Sequence, residues 1–178
     1  MKINDRLCLS ISTCFCIFRD FIELFQNEST NNIFVKNCAD LESVDASKTD
    51  RLLGLFSPTH MVFDYERRQN LVDIIPDSPS IADMTKKAIE MLSKNTEKGF
   101  FLMVEGGRID HAHHDVWANI ALDETIAFDE AVETAFTMTN NQETLIIVTA
   151  DHGHTMSFAG EVKNILIDLG ISLFYIFR

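Results

Sequence analysis

Three prolines and seven glycines among 178 residues are too few for a low-complexity linker, and they exclude a disordered chain. Cysteine is also scarce: Cys8, Cys14 and Cys16 crowd the first stretch and Cys38 stands beyond it, giving neither a paired-thiol zinc pattern nor a disulfide framework. Fifteen basic side chains face 27 acidic ones, a net charge of -12, and no Lys/Arg cluster could follow a phosphate backbone. Nucleic acid is therefore not expected as a partner. Leu7 to Phe18 is mostly apolar but too short to span a bilayer. It follows Lys2 and Arg6 in the loose layout of a secretion signal, lacks a small-x-small cleavage site before Arg19 and Asp20, and reads as a buried or frayed terminal segment.

What is present describes an ordinary globular domain, with 46% hydrophobic and 24% charged residues. An acidic chain can still bind phosphate esters when divalent cations reverse the local field, so the carboxylates are worth tracing. The polar, turn-rich stretch Glu28 to Asn32 marks a boundary. We therefore divide the chain into an unassigned amino-terminal segment, 1–32, a domain over 33–160 and an unassigned tail, 161–178.

Ser80-Ile81-Ala82-Asp83 has the form of a capping box, and Ile81, Met84, Ala88 and Leu92 then recur at helical spacing until Lys98 and Gly99 supply a basic last turn and a stop. The run Phe100 to Val104 predicts a strand buried on both faces, with Glu105 at its carboxyl end before Gly106-Gly107. From Trp117 a long helix carries Ile120, Ala121, Glu124, Phe128, Ala131, Ala135 and Met138 on one stripe, Glu124 being the polar exception. Thr144 to Thr149 reads as a second buried strand that leads directly into Ala150-Asp151-His152-Gly153-His154. Alternating helices and strands predict an α/β layered domain with a largely parallel central sheet and flanking helices. The apolar run Ile171 to Phe177 has no polar face and no evident role, and as a free end it would favour aggregation.

In open α/β sheets ligands bind beyond the carboxyl ends of the strands, and both strands deliver metal-capable side chains there: Glu105 from one, Asp151 and His152 from the other. Asp110-His111-Ala112-His113-His114 places a carboxylate and an imidazole four apart, so that they share a face if this is the start of the long helix. Asp110 with His113, or His111 with His114, fits a face equally, and spacing does not choose among them. Mixed oxygen and nitrogen donors suit zinc, whereas Glu105, with no imidazole in its own loop, suits magnesium held through oxygen and water. Asp and His also occupy ordinary strand-end turns, and a glutamate before Gly-Gly can be merely solvated. His60 reads as a surface residue, and His154 as a group outside the ligand shell or on the substrate side.

Val104-Glu105-Gly106-Gly107-Arg108-Ile109-Asp110-His111-Ala112-His113-His114 and Thr149-Ala150-Asp151-His152-Gly153-His154 resemble two metal-binding segments of the animal alkaline phosphatases, especially insect-like members. The resemblance runs from about Phe34 to Gly160 and includes Ser47 to Phe56. It implies that Asp110 and His114 bind a first zinc, Asp151 and His152 a second, and Glu105 a magnesium ion, with His111 near the magnesium and phosphate-side water. The implied reaction is phosphomonoester hydrolysis by two-metal phosphoryl transfer through a phosphoserine. The family's nucleophilic serine, its phosphate-gripping arginine and an aspartate shared by zinc and magnesium belong to an amino-terminal half not found in this chain. The family's third, histidine ligand of the first zinc comes from beyond the point, near Gly160, where the resemblance stops. Ser57 stands where many vertebrate members have a calcium-binding glutamate, so no calcium site is expected.

With two protein ligands per zinc, the chain alone is expected to be inactive, since catalytic zinc sites use three. The resemblance further implies a homodimer that is extracellular or anchored to the plasma membrane, although no anchor signal is legible here. Two other readings compete. One is a non-catalytic metal-binding or interaction remnant. The other is a metalloenzyme of the phosphoglycerate mutase kind, against which the Glu-Gly-Gly-Arg-Ile-Asp-His run argues.

Overall fold

A computed structural model describes residues 7–9, 18–69, 71, 77–94, 97–154 and 173–177. The expected apolar start, apart from its ends, lies outside these residues, as do Cys14, Cys16 and Gly160. In chain order the elements are β1 (Leu7–Leu9), α1 (Phe18–Glu28), β2 (Asn32–Val35), α2 (Cys38–Ser43), β3 (Arg51–Gly54), α3 (Asp64–Gln69), α4 (Ile81–Leu92), β4 (Phe101–Glu105), α5 (Arg108–His114), α6 (Ala118–Met138), β5 (Leu145–Thr149) and β6 (Leu173–Phe177).

α4 begins where the sequence says it should. The Ser80 side chain accepts from the Asp83 backbone N–H while the Asp83 carboxylate accepts from the Ser80 N–H, a complete capping box. Its end differs from expectation: Leu92 is the last helical residue and the Ser93 N–H bonds to the Ile89 carbonyl. Gly99, with φ 64°, instead turns the chain into β4, using a left-handed conformation that other residues resist.

Two three-stranded sheets flank this helix. β1, β3 and β2 form a parallel sheet in the order β1-β3-β2, whereas β6 lies between β4 and β5 and runs antiparallel to both. The apolar tail thus supplies a middle strand. α4 is buried nearly all round because it serves two cores. Ala88 and Ile89 join Leu102, Ile109, Phe128, Ala131, Ala135, Phe174 and Ile176, while Met91 joins Val35, Leu41, Leu52 and Phe56 over the parallel sheet.

The expectation of strands buried on both faces is corrected. Leu102, Ile176 and Ile146 form one cross-strand row toward α4 and α6, but Phe101, Phe177 and Leu145 form the next row on the opposite face. That second face is open: Phe101 is 52% and Leu145 58% exposed. A continuous apolar run specifies two apolar faces, and it does not by itself provide a cover for the second.

Candidate metal centre

β4 and β5 run in the same direction, because each is antiparallel to β6, and Glu105 and Thr149 are both Cα partners of Leu173. Their carboxyl ends therefore stand level at one edge of the sheet, two strand spacings or roughly 10 Å apart. The chain leaves β4 through Gly106, which lies so close to the α6 core that a Cβ there would stand 2.9 Å from Phe128 Cδ2. Glycine lets the loop settle onto Phe128 and launch α5 across the sheet edge.

α5 is a helix of its own, so Asp110 and His114 share a face, four residues apart, without opening the long helix. The Val116 N–H bonds to the His113 carbonyl, the Trp117 N–H bonds to the Ala112 carbonyl, and Val116 itself has φ 59°. This is the two-bond closure of a helix end, in which the left-handed residue is ordinarily glycine. α6 then starts afresh at Ala118.

Asp110 is the hub of the site. Its Oδ2 lies 3.5 Å from His114 Nε2, and its Oδ1 lies 3.8 Å from His152 Nε2 and 3.7 Å from His154 Nε2. His152 Nε2 is in turn 3.3 Å from Asp151 Oδ2. Asp110, His114 and His154 offer ligand atoms that all fall within 4.8 Å of one another. Asp110 Oδ1 is buried and makes no hydrogen bond.

Those separations fit donors arranged around a cation. Donors about 2 Å from one tetrahedral ion are roughly 3.3 Å apart, farther than a hydrogen bond and close to what is seen here. The donor set of one carboxylate and imidazoles suits zinc.

The structure thus brings Asp110, His114, Asp151, His152 and His154 together. Glu105 is placed elsewhere. Its carboxylate folds back over Gly107 and lines a cavity of about 60 Å³ with Asp64, Arg67, Ser80, Arg108 and Glu124, none of which belongs to the Asp110 group. His113 points inward, only 3% exposed, with its ring stacked 5.0 Å from that of His154. His60 is exposed, as expected, and sets its ring edge-on to His111 at 4.3 Å.

Burial lowers the His111 pKa, aided by His60 and Arg108, and burial with neighbouring His154 lowers that of His113. His152 is raised instead, first by its hydrogen bond to the Gly153 carbonyl and then by Asp151. Beside the site, burial pushes the Glu124 carboxyl up to about 7. That carboxylate accepts the Asp64 backbone N–H and ties α3 to α6.

Sequence reasoning flagged Glu124 only as an oddity on an apolar stripe, and it passed over Arg108, Phe63 and Asp64. The stripe was the available signal, since a carboxylate in a core position requires a buried donor.

A family model described as alkaline phosphatase matches residues 18–177, beyond the stretch from which the resemblance was read. The membrane-bound alkaline phosphatase of Bombyx mori is 44% identical over 146 residues, covering 80% of this chain and 25% of that protein. The tissue-nonspecific alkaline phosphatase of Rattus norvegicus is 45% identical over 136 residues, covering 76% of this chain and 25% of that protein. A solved structure of a magnesium-bound mutant of TAB5 alkaline phosphatase superposes with a TM-score of 0.51 at 16% identity, covering 96% of this chain and 52% of that one. The chain therefore spans about a quarter of the length of these curated relatives.

Proposed function

Because this chain belongs to the alkaline phosphatase family, we propose that it forms part of a phosphomonoesterase centre holding two zinc ions and one magnesium ion. The observation that supports the reading best is Asp110 Oδ1, a buried carboxylate oxygen without a hydrogen bond, facing the Nε2 atoms of His152 and His154. A buried anionic oxygen is costly unless something positive satisfies it, and a cation held by Asp110 would do so.

In this reading Asp110 and His114 hold the first zinc, Asp151 and His152 hold the second, and Glu105 holds magnesium with water. When bound, the ions would offset charge on the entering and leaving oxygens of a phosphate ester. The residues of the chain itself have simpler tasks. α5 and the β5 loop orient the donors, Asp110 joins the two groups, and His154 packs its ring between His113 and His114 to keep the cluster in place. His111 stays outside the ligand set.

The chain alone is inactive in this reading, since two donors per zinc leave each ion short of the three that catalytic sites use. A whole protein of this kind would act outside the cell or at its surface, and the Bombyx mori relative is named as membrane-bound. Among the described residues no helix is long and apolar enough to cross a membrane.

Zinc titration of the full chain, followed through its histidine ring signals, tests the assignment. Saturable shifts at His114 and His152 that disappear in Asp110→Asn are expected; shifts that persist in that variant would overturn it. Zinc-dependent turnover of a generic phosphomonoester by the isolated chain would overturn the inactivity.

A further inference from the structure

Three imidazoles within four positions give a metal several possible pairs, and one of the three is tied to a neighbour that only donates. Arg108 Nη1 lies 2.9 Å from His111 Nδ1, one turn along α5. The guanidinium carbon stands 3.6 Å from the centroid of the Phe63 ring, and Arg108 Nε is buried without a hydrogen-bond partner. The stacking on Phe63 and the bond to His111 are contacts that orient this side chain, beside the charges of Glu124, Glu66 and Asp115.

A guanidinium has no acceptor atom, so the nitrogen facing it must present a lone pair. Nδ1 of His111 is that nitrogen, which leaves the ring proton of the neutral imidazole on Nε2. We propose that Arg108 is a positioning residue that holds His111 as its Nε2–H tautomer, removing it from the metal-ligand set and making it a hydrogen-bond donor.

Both ring nitrogens are then committed. Nδ1 is spent on Arg108, and Nε2 carries a proton that a ligating nitrogen cannot keep. His114 has the opposite arrangement, with Nε2 directed at Asp110 Oδ2. Arg108 would thus choose between pairs that helical spacing makes equivalent, disfavouring capture of a cation by His111 with His114. The tautomer follows from the hydrogen bond alone, whereas the consequence for metal selection rests on the reading of the Asp110 cluster as a metal site.

Long-range proton–nitrogen correlation spectra of the uniformly labelled full chain test both parts, with His111 assigned by its loss in His111→Gln. In the wild type, His111 should show a protonated Nε2 and a bare, hydrogen-bonded Nδ1. A protonated Nδ1 in the wild type would overturn the proposal without any variant. Arg108→Met keeps an apolar contact to Phe63 but removes the donor, and it should move both His111 nitrogens toward the averaged shifts of an exchanging imidazole. Unchanged shifts in a folded Arg108→Met would also overturn it. On adding zinc, His111 should keep its Nε2–H signal in the wild type and shift only in Arg108→Met. If no histidine responds to zinc while the tautomer is as described, the metal reading fails and the role of Arg108 stands.

Discussion

Asp110 Oδ1 and His152 Nε2 stand 3.8 Å apart although one comes from the helix after β4 and the other from the loop after β5. They meet because β6 sets the two strands level, and because Gly106 lets α5 cross the sheet edge close to the core. Each prediction below tests one part of that arrangement.

Substituting the hub should cost more than substituting its packing neighbour. We expect Asp110→Asn to weaken zinc binding by more than the roughly 10–100-fold typical of groups just outside a ligand shell, and His154→Gln to fall within that range. Equilibrium dialysis of the three proteins measures this. Equal losses would make His154 a ligand in its own right.

Zinc binding should release protons and weaken on acidification. His152 has a raised pKa, so in the free protein it holds its proton to higher pH than an ordinary histidine and must give it up to ligate. Titrations in buffers of different ionisation enthalpy report the released protons, and affinity should be greater at pH 8 than at pH 6.

Gly106→Ala should destabilise the protein by about 1–3 kcal/mol, because the added methyl meets Phe128 at 2.9 Å and that ring lies in the core. Gly107→Ala is the control. Its Cβ would have the Glu105 side chain as nearest neighbour, at 3.5 Å, with φ -62°, and thermal unfolding should change by no more than about 0.5 kcal/mol.

Val116→Gly should stabilise by up to about 1 kcal/mol. A β-branched residue at φ 59° carries a steric cost of about 1–2 kcal/mol, of which the extra backbone freedom of glycine in the unfolded chain gives back only part. Chemical denaturation measures the gain.

Glu124→Gln should stabilise more at pH 8 than at pH 5. With its pKa pushed up to about 7 by burial, the folded chain binds this proton more tightly than the unfolded one. The contribution of Glu124 to stability therefore falls as pH rises from near 4.5 through 7. Glutamine keeps an acceptor for the Asp64 N–H without the buried charge, and a difference of roughly 1–3 kcal/mol between the two pH values is expected. Parallel thermal unfolding curves that show no pH-dependent difference would contradict the burial of this carboxyl.

Local signals were strong enough to be read directly from the chain. The Ser80–Asp83 capping box, the strand β5 and the presence of Asp110, His114, Asp151 and His152 just past strand ends all rest on near neighbours, where periodicity and hydrogen-bonding chemistry act within a turn or two. Other features were invisible for the same reason. α5 stands apart from the long helix because Val116 takes a left-handed closure normally given to glycine, and no residue type announces that. α4 ends at Leu92, with Ser93 making its final i→i−4 bond to Ile89, ahead of the later basic residues that suggested a stop.

By itself the sequence determined which residues could ligate a cation and that α4, β4, α6 and β5 would be helix or strand, since donor chemistry and hydrophobic period belong to the residues themselves. Only the tertiary structure decided that the apolar tail would enter as the middle strand β6, that one face of that sheet would be open, and that Glu105 would line a cavity with Arg108 and Glu124. Those outcomes depend on which distant segments compete for the same strand edge and the same core. Pairing of that kind is a property of the assembled chain, and no window of neighbouring residues encodes it.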